Sequence, residues 1–368
     1  MARDLNSQLP EVQLAIADFN LRTGTYGEAV AGFQRALELD PENVNAHLGL
    51  GRAYDALGRS AEAEQAFRHA IDISPQCWSC YNWLGAYLDR HARYGEAAQT
   101  WQKVIELTPD NVWGYLNVGA VYFNLGQFEK AQEYFRRGLQ VDPEDADLYA
   151  NAGTVSFFLG HFEEDATFCK KAIALRPQRY EYRGNLADAY RMIPGMSNMS
   201  EPTYQQAIHL AELQLKINPV DADVLSSLAH YYARTNDSAR ARAYLLRALK
   251  ADAQDVDILL NACLIYLEAG EREEALSWLR KAVSAGYSRE QLLANPELHS
   301  LHSSLEFDLL AKPKPNSVRN AVHSKQSSSD SAISFRKGIV RPHGNNRARR
   351  LLRFDKNADK KNFEDEFT

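Results

Sequence analysis

The sequence predicts an all-α solenoid, a stack of helical hairpins closed by a C-terminal helical cap. Two observations predict it. Pro41, Pro75, Pro109, Pro143 and Pro177 stand 34 residues apart, a period that fits two helices and their turns. Small residues recur at fixed offsets inside that period: Gly51, Gly85, Gly119 and Gly153 early, then Ala63, Ala97 and Ala131 late. A two-helix unit of this size cannot bury its own apolar face and must stack on copies of itself.

The hairpins follow in order. The first carries Ile16-Ala17, Ala29, Phe33, Ala36 and Pro41; the second His47, Leu50-Gly51, Tyr54, Ala63, Phe67, Ala70 and Pro75. The third has Tyr81, Leu84-Gly85, Leu88, Ala97, Trp101 and Pro109, and the fourth Tyr115, Val118-Gly119, Tyr122, Ala131, Phe135, Gly138 and Pro143. Glycine and alanine at matching offsets let the paired helices approach closely, where a larger side chain would overpack the contact. Each proline ends a second helix, because it lacks a backbone donor and disfavours helix at the residue before it.

The fifth hairpin, with Tyr149, Ala152-Gly153, Ala172 and Pro177, puts Asp165 where the others have alanine. A carboxylate at a tight helix contact is expensive unless paired, so a soft point or a relaxed register is expected there. In the sixth, Leu186-Ala187 and Tyr190 are followed by a second helix that ends late, at Pro219. The intervening residues near 193–203, Ile-Pro-Gly-Met-Ser-Asn-Met-Ser-Glu-Pro among them, have turn chemistry. Two further hairpins carry Leu228-Ala229, Tyr232, Ala241 and Ala248, then Ala262-Cys263, Tyr266, Ala275 and Ala282.

The expected organisation is a lead at 1–9, about eight repeats over 10–287, capping helices over 288–311 and a basic tail over 312–368. The tail has Lys-Pro-Lys-Pro, a serine run and Arg347-Ala-Arg-Arg350 with little apolar material, so it is expected to be disordered.

The aromatic, Leu-Gly, Tyr, Ala, Phe, Ala, Pro pattern resembles the tetratricopeptide repeat family. That resemblance implies a right-handed superhelix whose first helices line a concave groove and bind extended segments of partner proteins. Two residues after the aromatic slot stand Asn117, Asn151, Asn185 and Asn261, with Ser227 in the seventh hairpin. A carboxamide offers donor and acceptor together, as a peptide backbone requires, and the column resembles the asparagine ladder of O-linked N-acetylglucosamine transferase. The alternative is that these residues cap loops or bond a neighbouring helix. Arg52, Asn82, Trp83 and Trp113 are the expected anchors of the earlier hairpins. The C-terminal third also resembles repeat arrays associated with bacterial Ser/Thr kinases, cyclases or transcription regulators. An alternative role is therefore a regulatory or substrate-recruiting module for a separately encoded kinase, cyclase or glycosyltransferase.

Composition bounds the remaining classes. The chain has 368 residues, 45% hydrophobic and 24% charged, with a formal net charge of −6. The charge divides unevenly: 14 Lys and Arg against 6 Asp and Glu from Lys312 onward, over an acidic body. Such a tail attracts nucleic acid, anionic membrane or its own body by screened Coulomb forces. Without interleaved aromatics for base stacking, the expectation is a solvated or self-docking tail rather than nucleic-acid binding.

No apolar run is long enough for a membrane span and the N-terminus lacks a secretory signal, so a cytoplasmic location is expected. Cys77, Cys80, Cys169 and Cys263 are too few to frame disulfides in a chain this long. Cys77 and Cys80 start a helix but lack the βαβ context of a redox site and further zinc ligands. His299 and His302 supply half a metal site at most. With no phosphate loop, kinase motif or nucleophile elbow, the expectation is a non-enzyme without cofactor or metal.

Overall fold

The computed structural model describes residues 9–312; the residues expected to form a disordered tail, and the first eight, lie outside that range. Among the described residues the fold is all-α, consecutive helix-turn-helix pairs without a strand. The chain divides into two compact units, Met1–Val121 and Tyr122–Thr368.

The first unit holds α1 (Pro10–Thr23) with α2 (Tyr26–Leu39), α3 (Val44–Ala56) with α4 (Ser60–Ile73), α5 (Trp78–Arg90) with α6 (Tyr94–Leu107), and most of α7 (Val112–Asn124). Helices α2, α4 and α6 each stop two residues before Pro41, Pro75 and Pro109, and the next helix begins three residues after it. The aromatic slot has a polar purpose: Tyr81 and Tyr115 hydroxyls donate to the Pro75 and Pro109 carbonyls at 3.2 and 3.0 Å, and His47 Nε2 lies 2.9 Å from that of Pro41. That bond explains how histidine substitutes for an aromatic in the second hairpin.

Close approach is the reason for the glycines. A Cβ on Gly51 would sit 2.6 Å from the Phe67 ring, and one on Gly85 2.7 Å from the Trp101 ring. Both rings belong to the second helix of the same hairpin and are fully buried.

The second unit continues with α8 (Phe128–Val141), α9 (Ala146–Phe158), α10 (Phe162–Leu175), α11 (Tyr180–Met192), a 3-10 turn at Ser197–Met199, α12 (Ser200–Ile217), α13 (Ala222–Arg234), α14 (Ser238–Ala251), α15 (Val256–Glu268) and α16 (Arg272–Ala285). The inserted residues after α11 thus form a loop, the 3-10 turn and an extra turn at the start of α12. Asp165 is fully buried, accepts the Cys169 thiol at 3.2 Å and lies 2.8 Å from where a Cβ on Gly153 would stand. Glycine at 153 makes room for the carboxylate that replaces alanine.

The cap comprises α17 (Arg289–Ala294), a 3-10 helix at Pro296–Leu301 and α18 (Leu305–Ala311). Its Leu292, Leu298, Leu301 and Phe307 cover Leu259, Cys263, Leu276 and Leu279 of the last hairpin, which removes the open end that a solenoid otherwise exposes. The cap also reaches the α7–α8 turn, where a Cβ on Gly126 would fall 2.1 Å from Glu290 Cβ.

The turns between paired helices carry a second 34-residue series. Gly24, Gly58, Gly126 and Gly160 have positive φ on this spacing, with Ala92 at 55° filling the gap, and past the insertion Asn236 at 60° and Gly270 resume the 34-residue interval. An L residue in this conformation costs about 1–2 kcal/mol, less for Asn. Ala92→Gly is therefore expected to stabilise the first unit by about 1 kcal/mol, read as a higher urea midpoint at unchanged m-value.

Candidate functional site

In the first unit α1, α3 and α5 lie side by side and bring three first-helix side chains into one track. Arg52 of α3 is 3.8 Å from the Asp18 carboxylate of α1, and its guanidinium stands 4.3 Å over the Trp83 ring of α5. All three remain partly accessible, with the Arg52 side chain 25% and that of Asp18 35% exposed. Cation–π stacking of this kind is favourable where a guanidinium lies over an indole face. Trp113 at the start of α7 is half-buried.

Beneath the track, carboxamides bind helix to helix. Asn82 Oδ1 accepts from Trp101 Nε1 at 3.0 Å and from Asn117 Nδ2 at 3.2 Å. Asn117 is only 3% exposed, and its Oδ1 is buried without a hydrogen-bond partner. Further along α5, Asp89 is 8% exposed with an unpartnered Oδ1, and desolvation pushes its carboxyl up to about 7 despite the adjacent Arg90. The same slot one repeat earlier is paired: Asp55 accepts Arg90 at 2.6 Å and lies 3.0 Å from His91 Nε2.

In the second unit Asn151, Asn185 and Asn261 are likewise buried, on α9, α11 and α15. Asn261 Nδ2 donates to Ser226 Oγ of α13 at 2.9 Å, while Asn151 Nδ2 and Ser227 Oγ are buried without a partner. The carboxamides expected from spacing thus sit on successive first helices, and two of them, Asn117 and Asn261, bond a neighbouring first helix. Next to this column lies a charged group that spacing did not reveal. Arg234 of α13, 6% exposed at its side chain, bonds both Glu268 of α15 and Glu297 of the cap, and Glu268 also receives Arg191 of α11.

The cysteines depart from expectation, because Cys77 and Cys80 form a disulfide. Counting thiols along a long chain missed what position explains: Cys77 occupies the N-cap slot of α5 and its Sγ accepts the Cys80 amide at 3.2 Å. One helical turn places the two sulfurs together. Reduction is expected to lower stability by about 2 kcal/mol, the loop entropy of so short a closure; comparing thermal melts of the oxidised chain and Cys77→Ser/Cys80→Ser checks it.

Cys169 and Cys263 are buried and take part in no disulfide among the described residues. The rings of His299 and His302 lie 5.2 Å apart in the cap. A pocket lined by Ala233, Arg242, Tyr266 and Glu268 holds about 30 Å³, room for water rather than for a small-molecule substrate. No helix among the described residues is long and apolar enough to cross a membrane.

Comparison with known proteins agrees with this architecture. Tetratricopeptide repeat models match residues 14–77, 227–289 and 112–145, and a TPR repeat model matches 93–126. A human zinc finger C3H1 domain-containing protein is 26% identical over 82 residues, which is 22% of this chain and only 4% of that protein. Among solved structures, YrrB, described as a TPR protein with an unusual peptide-binding site, is 24% identical and has a TM-score of 0.38, covering 47% of this chain and 89% of its own. A tetratricopeptide repeat protein from Parabacteroides merdae is 18% identical with a TM-score of 0.49, covering 70% and 97%. Repeat models hit at the start, middle and end of an array of consecutive helical hairpins, and on that ground the chain belongs to the tetratricopeptide repeat family.

Proposed function

We propose that this chain is a non-catalytic interaction scaffold whose first helices bind extended segments of partner proteins. One observation carries the reading: the Asp18–Arg52–Trp83 track crosses three successive first helices and stays accessible. A bound segment would meet an acid, a guanidinium and an indole in sequence, the side-chain types that dominate interface energetics. Trp113 would extend the same surface.

The buried carboxamides would act within each unit. In the first, Asn117 holds an unpaired acceptor, and in the second Asn151 holds an unpaired donor, each the complement of one half of a peptide group. Leaving such atoms unsatisfied costs about 1–3 kcal/mol each, and a backbone reaching them would remove that penalty. Asn185 and Asn261 would serve the second unit in the same way, and Asn82 would hold Asn117 in place in the first.

Peptides selected from a displayed library against the intact chain test this by fluorescence anisotropy. Arg52→Ala and Trp83→Ala are each expected to weaken binding at least tenfold, about 1.4 kcal/mol. Leu246→Ala, on an exposed second-helix position, serves as the control. Selected peptides that bind both variants as tightly as the wild type overturn the assignment of the surface. Unchanged binding by a folded Asn117→Ala/Asn151→Ala/Asn185→Ala variant removes the carboxamide column while leaving the track.

A further inference from the structure

Three donor groups from separate elements of the second unit converge under the cap. Asp188 of α11, His230 of α13 and Glu297 of the capping 3-10 helix place one ligand-type atom each within 4.8 Å of one another. Asp188 and His230 are 7% and 4% exposed, and the Glu297 side chain 15%. Tyr204 of α12 donates its hydroxyl to Asp188 Oδ1 at 2.5 Å, and His230 Nε2 lies 3.3 Å from the same oxygen.

The imidazole is the informative member. Nε2 is the nitrogen beside Asp188, so an ion shared with that carboxylate would take the Nε2 lone pair and leave the proton on Nδ1, which is buried with no hydrogen-bond partner among the described residues. Among the described residues nothing satisfies that nitrogen, a polar group that costs free energy when removed from water unpartnered. The surrounding charge also favours a cation. Arg191 and Arg234 pair with Glu268 and Glu297, and Asp188 adds a third carboxylate against two guanidiniums. Arg234 engages Glu297 through Oε1.

The geometry points to a divalent metal site formed by Asp188, His230 and Glu297, suited to zinc or a similar first-row ion. One imidazole with two carboxylates is a donor set of that class. Ligands on a tetrahedral ion at about 2.1 Å stand roughly 3.4 Å apart, so closing the observed cluster needs displacements of about 1 Å. Because Glu297 belongs to the cap and the other two to the repeats, the ion would clamp the cap onto the first-helix face. Cap closure in the second unit would then depend on metal supply.

The test uses the full chain, stripped with chelator and kept oxidised so that Cys77 and Cys80 stay paired. Zinc chloride titrated by calorimetry, with metal content by mass spectrometry, is expected to give one ion per chain. A cobalt(II) complex should show ligand-field absorption, and zinc should slow hydrogen exchange over residues 288–304. His230→Gln and Glu297→Gln are each expected to weaken uptake at least tenfold while retaining the helical circular dichroism of the wild type. Glu297→Gln keeps the Tyr204–Asp188–His230 contacts and guards against a folding artefact. Absence of stoichiometric uptake, uptake that both variants retain, or uptake abolished instead by Cys77→Ser/Cys80→Ser or His299→Ala, overturns the site.

Discussion

Asp89→Asn is expected to stabilise the first unit by about 4 kcal/mol at pH 8, and by almost nothing at pH 4. The carboxyl has an ordinary value of 3.8 and is pushed up to about 7 by burial in α5, with Arg90 opposing that only in part. A raised value means that the folded chain holds a proton which the unfolded chain releases. The stabilising contribution is therefore complete below pH 4, fades as pH rises through 7, and is fully lost above it. Three units of difference at 1.36 kcal/mol each give the magnitude. Asparagine keeps the neutral hydrogen-bonding shape at every pH. Urea unfolding of both proteins at intervals between pH 4 and 8 measures the difference, and parallel curves for the two would sink the explanation.

The reason Asp89 stands alone is written in the repeat. Asp55, one period earlier, is paired by Arg90 and His91; the slots 34 residues after those two hold Asn124 and Leu125, neither of them a cation. A buried carboxylate without its counter-ion in the first-helix row is also a place where a partner's donor would gain most. Strained or costly groups at a recognition surface are expected where the partner, rather than the chain, completes the hydrogen bonding.

The repeat grammar was legible because it is local. Prolines mark where second helices stop, and the Gly51 and Gly85 contacts with Phe67 and Trp101 are encoded at one spacing that every copy must respect. The Gly24-to-Gly270 turn series was equally available at the same period on either side of the insertion, and Ala92 and Asn236 could have been found as its exceptions. The carboxamides were placed correctly on first helices, but spacing cannot say whether a side chain faces solvent or its neighbour: Asn82 and Asn117 are bonded to each other, and Asn117 is buried. The Cys77–Cys80 disulfide was hidden by counting cysteines rather than asking which cap slot Cys77 fills. Least legible was the charged layer under the cap. Arg191, Arg234, Glu268 and Glu297 come from three hairpins and a terminal helix, with no shared period to announce them.

That layer carries the largest loss expected from one substitution. Arg234→Met is predicted to destabilise the second unit by about 3–5 kcal/mol, the usual range for removing one partner of a buried ion pair. The guanidinium alone bridges Glu268 of the eighth hairpin and Glu297 of the cap, and it holds Glu268 below the usual carboxylate range together with Arg191. Methionine fills the volume but strands Glu297 and leaves Glu268 with Arg191 alone, so packing loss contributes little and uncompensated charge contributes most. If that division is right, Glu297→Gln in the Arg234→Met background should recover part of the loss, although Glu297→Gln alone destabilises the wild type. A double-mutant cycle on urea midpoints isolates the coupling, which should be well above 1 kcal/mol. Strict additivity would mean that Arg234 acts through packing and that the cap is held by its leucines, Leu292, Leu298 and Leu301, without help from the ion pair.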